Sequence, residues 1–277
     1  MKIGNLLVNA AYLGERVLTA IAVGAAKVWE GVSKYIKFKD PVVEQICLKW
    51  SSDGIGLTPE DAAKVTDIGA TFQGNTEITS FDELEYFTGL RQIYGFSDCS
   101  YLANIVIPNA AISLAYGAFA RSGLTNIAIP DSVISIGDYC FVSCPLKTIR
   151  LGASTTIAQN TFSGVRADNI YVGSIAAWCG YPITSIQSDS AKLFVNDELV
   201  TNVVIPAHIT QLRASVLKGF IDLQSVSFEG EITSIGGDAF ADSGLTGFVC
   251  PQGIVSLSGA VFPRCKKLKT LDLYNYH

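Results

Sequence analysis

The sequence predicts a repeat solenoid, mainly β, with short irregular or helical corners and a small α/β cap at its N-terminal end. Three observations carry this. Phenylalanines recur at Phe119, Phe141 and Phe162, at intervals of 22 and 21, and the same slot returns as Leu217, Phe240 and Phe262, at intervals of 23 and 22. A leading leucine keeps the same beat at Leu102, Leu124 and Leu146, then at Leu223, Leu245 and Leu268. Prolines follow at Pro108, Pro130, Pro206 and Pro251. A fixed period near 22 marks stacked coils, none of which buries its apolar face without its neighbours.

Each coil reads in a simple way. In LTNIAIPDSVISIGDYCFVSCP, Leu124 to Pro145, the first piece is a short strand. Ile127 and Ile129 point inward and Asn126 and Ala128 outward, by the two-residue alternation of a strand. Pro130 and Asp131 turn the chain. SVISIG is a second extended piece burying Val133 and Ile136, and Phe141 fills the far corner.

Composition fits this architecture and narrows the function classes. Of 277 residues, 49% are hydrophobic and 16% charged, with a mean hydropathy of +0.33. The longest nearly apolar run, Val17–Ala26, is ten residues and ends at Lys27. A membrane-spanning helix needs roughly 18–20, so no transmembrane segment is expected. The net charge is −5 and no Lys/Arg cluster stands out, which argues against nucleic acid and anionic membranes as partners. The seven cysteines follow no metal-like spacing, and neither metal nor cofactor is expected.

Three segments are expected. Residues 1–36 read as a small β-element with a turn at Tyr12–Val17, or alternatively as a signal-containing segment with Val17–Ala26 as its apolar region. Residues 37–101 read as a helix–loop–helix lead-in and N-terminal cap. Asp40-Pro41 opens the first helix, with Val42, Val43, Ile46 and Trp50 at helical spacing. Thr58-Pro59-Glu60-Asp61 opens the second. KVTDIG looks strand-like, and Ser80 is placed as the cap of a brief helix in SFDELEYFTG. The loop from Ser51 resembles a calcium loop, but Ile55 and Ala62 stand where oxygen ligands are needed. The solenoid is then expected over 102–277, with an irregular insertion at 173–200 that holds Trp178, Tyr181 and a hairpin near Asn196-Asp197. The last strand is expected to be covered by Tyr274 and Tyr276, by a partner, including a second copy of the chain, or by sequence beyond residue 277.

The repeats resemble the BspA-like leucine-rich repeat family. Its pattern, L-x-x-I-x-I-P-x-S-V-x-S-I-G-x-x-A-F-x-x-C, is followed nearly throughout by LTNIAIPDSVISIGDYCFVSC, and ITSIGGDAFADSG matches its second half. FQGNTEITSFDELEYFTGL is similar to the family's lead-in, and IYVGSIAAWC with AKLFVNDELVTNVVIP to its irregular segment. The resemblance covers residues 37–277. It implies a surface or secreted protein of bacteria or protists that adheres to host matrix or takes part in contact between cells. Cell-surface or extracellular placement is therefore the first expectation, with a cytoplasmic or virion-associated one as the alternative. The YLG…VWE N-terminus is loosely similar to small β-modules of phage or mobile-element proteins, so a structural or receptor-recognition component of such an element is the second functional reading.

Candidate sites follow from the slots. Cys99, Cys144 and Cys265 share one interior slot, so buried free thiols are expected. Cys99 and Cys144 stand two coils apart, about 10 Å, beyond the roughly 7 Å a disulfide spans. Catalysis would rest on Cys179 with His208, the one histidine inside the array, and the outward positions hold no carboxylate pair. The chain is therefore expected to be no enzyme. The outward positions Asn126, Thr148, Arg150, Asn169, Tyr171 and Asn202 read either as an ordinary solvated sheet or as a face for a protein or glycan ligand, with Arg150 and Tyr171 at its centre. Trp178 and Tyr181 read either as core of the insertion or as partner contacts.

Overall fold

The computed structural model describes residues 33–182 and 186–274, and the backbone of residues 2–3, 6–7, 21–23 and 26–29. The predicted turn at Tyr12–Val17 lies outside the described residues, as do Tyr276 and His277. Lys2–Ile3 pairs antiparallel with Leu6–Leu7, and Ile21–Val23 with Ala26–Trp29.

The lead-in begins with the helix Pro41–Cys47, followed by a 3-10 turn at Leu48–Trp50. Asp40 is its N-cap. One carboxylate oxygen accepts from the backbone N–H of Val42 at 2.9 Å and of Val43 at 3.3 Å. The other accepts from the N–H of Thr79 at 2.6 Å and its hydroxyl at 2.8 Å. One buried carboxylate thus holds a helix start to the first solenoid strand. Burial pushes its pKa up, but the hydrogen bonds from Thr79, Val42 and Val43 outweigh this and hold it below the ordinary value. We expect Asp40→Ala to cost about 2–4 kcal/mol at neutral pH, from a lost cap and lost charge-assisted bonds. A depressed carboxylate stabilises above its unfolded pKa, near 3.9, and that contribution disappears as pH falls through the folded value. Chemical denaturation at pH 7 and pH 3 checks both points: the gap between the wild type and Asp40→Ala narrows at the lower pH.

The second helix, Pro59–Lys64, is capped by the Thr58 hydroxyl, which accepts from Asp61 N–H at 3.0 Å. In the loop before it, Asp53 accepts from Ile55 N–H at 2.9 Å, from the Ser51 hydroxyl at 3.0 Å and from the Tyr35 hydroxyl at 2.7 Å. These donors hold the loop shut through its own carboxylate.

Two expectations for the lead-in need correction. KVTDIG forms no strand; Val65 ends the helix, and the segment runs into a turn at Gly69, where φ is +56°. Ser80 caps no helix. A neighbouring strand is available to it, so Ser80–Phe81 pairs in parallel with Asn104–Ile105, and a 3-10 turn follows at Asp82–Tyr86.

The solenoid is built of two kinds of short parallel strand. The first kind stacks as Asn126–Ala128, Thr148–Arg150, Ala167–Val172 and Gln187–Val195. Its register places Ile127, Ile149, Ile170 and Leu193 in one interior column. The second kind stacks as Gln92–Ile93, Ser113–Leu114, Ser135–Ile136 and Thr156–Ile157. Between them runs a ladder of rings. Phe72, Phe96, Phe119, Phe141 and Phe162 stack with centroids 5.2, 5.4, 5.3 and 5.3 Å apart, and the ladder resumes with Phe240 and Phe262 at 5.4 Å. Two residues past each rung, and past Leu217 in the same slot, the backbone turns left-handed, at Gly74, Asp98, Arg121, Ser143, Gly164, Gly219, Asp242 and Arg264. Cys99, Cys144 and Cys265 donate to the carbonyls of Phe72, Phe119 and Phe240 at 3.0, 3.0 and 2.9 Å. Their common slot ties each coil to the rung before it.

The ladder shows that the array starts earlier than residue 102. Phe72 and Phe96 are its first rungs, and Ser80–Phe81 and Gln92–Ile93 are strands of the stack. These coils keep the phenylalanine but lack the leucine and proline that mark the later ones.

The insertion is also more regular than its sequence. The helix Ile175–Gly180 replaces a corner, and Gln187–Val195 is a full strand beside Ala167–Val172. It turns back at Asn196 and Asp197, with φ of +51° and +67°, into Glu198–Leu199, which pairs antiparallel and closes that sheet. The stack then restarts. Asn202–Ile205 pairs with Ser225–Phe228, Gly247–Val249 with Thr270–Asp272, and Gln211–Leu212, Ser234–Ile235 and Ser256–Leu257 form the second row. Trp178 joins the two stacks: its indole N–H donates to Val216 O at 2.7 Å, and its ring lies edge-on to Phe220 at 5.8 Å. Thr270–Asp272 is exposed, and Tyr274, 86% exposed, does not cover it.

Candidate binding face

The outward side chains of the first-kind strands form rows across the coils. One row runs Ala128, Arg150, Tyr171 and Phe194, set by the parallel register. The Arg150 guanidinium lies 4.2 Å from the Tyr171 ring centroid, and Tyr171 stacks on Phe194 at 4.4 Å and 10°. The Tyr171 ring is thus held between a cation and a second ring, an arrangement that is favourable on both sides. Arg150 is held in turn by Asp197, Nη2 to Oδ1 at 2.6 Å. Asp197 sits at the left-handed turn of the hairpin, so the strand Gln187–Val195 supplies the second ring and the turn that follows it supplies the counter-ion.

Beside this row lies a groove of about 740 Å³, lined in part by Val106, Asn109, Ala128, Ser132, Arg150 and Tyr171. Ala128 is the smallest side chain in the row and opens a notch beside Arg150. The Ser132 hydroxyl is buried at the wall and has no hydrogen-bond partner among the described residues. A smaller recess of about 340 Å³ continues along the same face past Asn104, Asn126 and Thr148. The surface is therefore a preordered Arg–Tyr–Phe stack, flanked by neutral amides and hydroxyls. It can offer ring edges, a guanidinium and polar donors to a ligand, and its carboxylates Asp82, Asp131 and Asp197 already accept from Lys39, Ala153 N–H and Arg150.

The predicted residues divide. Asn126, Thr148, Arg150 and Tyr171 meet at this face, and Asn169 follows Thr148 in register. Asn202 belongs to the second stack, where it accepts from the Ser225 hydroxyl at 2.6 Å. Trp178 and Tyr181 are not surface contacts. They are 0% and 6% exposed: Trp178 fills the junction between the stacks, and Tyr181 belongs to the same buried core. Cys179 is buried there too; burial raises its thiol to about 11 despite the nearby Arg213. His208 is exposed on the turn after Asn202–Ile205. Phe194 and Asp197 were missed. The signal for Phe194 was the alternation Lys192-Leu193-Phe194, which continues the interior column through Leu193. No local signal pairs Asp197 with Arg150, 47 positions away.

The family model described as BspA type Leucine rich repeat region matches residues 90–174 and 184–277 in six copies. No curated protein matches the chain. Among solved structures it is similar to a leucine rich cell surface protein from Faecalibacterium prausnitzii A2-165, with 18% identity over 71% of this chain and 70% of that one and a TM-score of 0.36. It is also similar to a leucine-rich repeat protein from Bacteroides ovatus ATCC 8483, with 24% identity over 75% of this chain and 64% of that one and a TM-score of 0.35.

Proposed function

Because the chain belongs to the BspA-type leucine-rich repeat family, we propose that it is a non-enzymatic binding module, displayed at a bacterial surface, whose Arg150–Tyr171 face holds a protein or glycan ligand. The observation that carries this reading is the stack of Arg150, Tyr171 and Phe194 along the open groove. On the outward side of a solenoid strand nothing in the fold requires large side chains; Ala128 holds the neighbouring slot of the same row, and Asn126 and Ser225 hold other outward slots. Here three large groups are fixed by each other and by Asp197, so a ligand meets them with little ordering cost. Arg and Tyr are also the residue types that dominate recognition hot spots. Among the described residues no helix is long and apolar enough to cross a membrane. Solenoids present extended surfaces, which suits a large ligand.

An array of glycans and matrix proteins probed with the intact chain tests this. We expect at least one ligand to bind, and Arg150→Ala combined with Tyr171→Ala to weaken it by about tenfold or more, in keeping with a hot-spot pair. A thermal melt of the variant checks that the fold is kept. Absence of any wild-type ligand, or binding unchanged by the double substitution, would contradict the proposal.

A further inference from the structure

The row of Arg150, Tyr171 and Phe194 leaves one planar group open toward the grooves, and it is the guanidinium. Tyr171 has Arg150 on one face and Phe194 on the other. Phe194 lines neither groove. Arg150 has Tyr171 on one side only. On its other side the parallel register places Ala128, an exposed residue whose side chain is a single methyl group. One coil earlier, by the 22-residue period, the same slot holds Val106, 40% exposed. The row therefore lacks a large group between Val106 and Arg150. The two grooves of this face meet at that gap, for Ile105, Val106, Ala128, Arg150 and Tyr171 line both.

The gap has the width of one ring. Asn104–Ile105 and Asn126–Ala128 fall in separate sheets, but the second-row ladder runs unbroken through the same coils and holds their spacing. Val106 and Arg150 are two coils apart, about 9.6 Å at the strand spacing. A planar group set midway lies about 4.8 Å from each. Arg150, Tyr171 and Phe194 already stack at 4.2 and 4.4 Å. The walls select its chemistry. One wall is a guanidinium, which attracts the electron-rich face of an aromatic ring, as it does Tyr171 on its other side. The opposite wall is the Val106 side chain and the floor is the Ala128 methyl, both apolar. An anionic group is disfavoured, because Asp197 already pairs with Arg150 at 2.6 Å and Asp131 lines the larger groove. A sugar ring has no π face to set against the guanidinium, and Tyr171, on which it would otherwise stack, is covered on both faces.

We propose, on the reading that the Arg150–Tyr171 face binds the ligand, that the notch over Ala128 receives an aromatic side chain of a protein ligand, which fills the row between Val106 and Arg150. The probe is N-acetyl-tryptophanamide, a neutral carrier of one aromatic side chain, and saturation-transfer difference NMR with the intact chain reads its binding. Binding is saturable, with a dissociation constant on the order of millimolar for a ligand of this size. N-acetyl-leucinamide and methyl glucoside bind about threefold or more weakly, for want of the cation–π contact. Ala128→Phe fills the notch with the chain's own ring and weakens the probe by about tenfold or more; a thermal melt checks that the fold is kept. Arg150→Met, which keeps the stem and removes the cation, weakens it by about three- to tenfold. Ser227→Phe, at an exposed outward position of the second stack, leaves it within about twofold, as for a distant site. Absence of saturable binding, or binding insensitive to Ala128→Phe, would overturn the proposal. An arrayed ligand that is lost on Arg150→Ala with Tyr171→Ala but unaffected by Ala128→Phe would overturn the notch and leave the binding face standing. Probe binding that Ala128→Phe removes, in a chain with no arrayed ligand, would do the reverse.

Discussion

Replacing Phe141 by alanine is expected to destabilise the chain by about 3–5 kcal/mol. Phe141 is 0% exposed and sits inside an unbroken run of stacked rings, 5.3 Å from Phe119 on one side and from Phe162 on the other. Removing it opens a cavity that the coil cannot close. The strands on both sides are fixed in register at Ser113–Ser135–Thr156 and Asn126–Thr148–Asn169, which hold the coil spacing constant. Collapse into the gap would break those ladders. Phe141→Leu, which keeps most of the volume, is expected to cost less than half as much as the alanine, in line with the tolerance of volume-conserving changes. Urea denaturation followed by circular dichroism measures both. A Phe141→Ala protein with unchanged midpoint would show that the ladder is not what carries the core.

Trp178→Ala is expected to do something different in kind. Its local cost is similar, about 3–5 kcal/mol for a fully buried tryptophan, with a further penalty because the Val216 carbonyl loses its donor. The position of Trp178 matters more than the size of the loss. Glu198–Leu199 closes the first sheet, so the strands of the two stacks are not continuous there. Coupling across the gap runs through Trp178 on Val216 and Phe220, and through the Gln187 amide, which donates to Ser215 O at 2.7 Å. Arg213 also lies over the Trp178 ring at 5.1 Å. In a stacked array, cooperativity depends on each interface between neighbours. Weakening this one is expected to split a single calorimetric transition into two, with the stack from residue 202 onward unfolding apart from the stack before it. A destabilised protein that still melts in one step would contradict that role.

Much of the fold was legible because the physics repeats. Strand alternation put Ile127 and Ile129 inside and Asn126 and Ala128 outside, and they are so placed. The common slot of Cys99, Cys144 and Cys265 was visible as spacing, and each thiol indeed reaches the carbonyl of the preceding rung. The irregular coils were harder. Phe72 and Phe96 occupy ladder positions, yet their coils lack the leading leucine and the proline, so spacing alone did not enrol them. The strand Gln187–Val195 lies inside what reads as an insertion, because the helix Ile175–Gly180 stands where a corner is expected and shifts the period. Ser80 has the chemistry of a helix cap, and a neighbouring strand claimed it instead. At the proposed face, Arg150 and Tyr171 follow from the outward slots. Phe194 continues the outward row on the strand before the hairpin, and Asp197 reaches Arg150 from the turn that follows, a contact across 47 positions that no local pattern encodes.

Amide hydrogen exchange of the intact chain, free and bound to its strongest arrayed ligand, tests the central claim most directly. The account predicts slowed exchange over 104–109, 126–132, 148–153, 169–173 and 194–197, the segments that carry the Arg150–Tyr171 face and its groove. Protection confined to other segments, with those five unchanged, would contradict it.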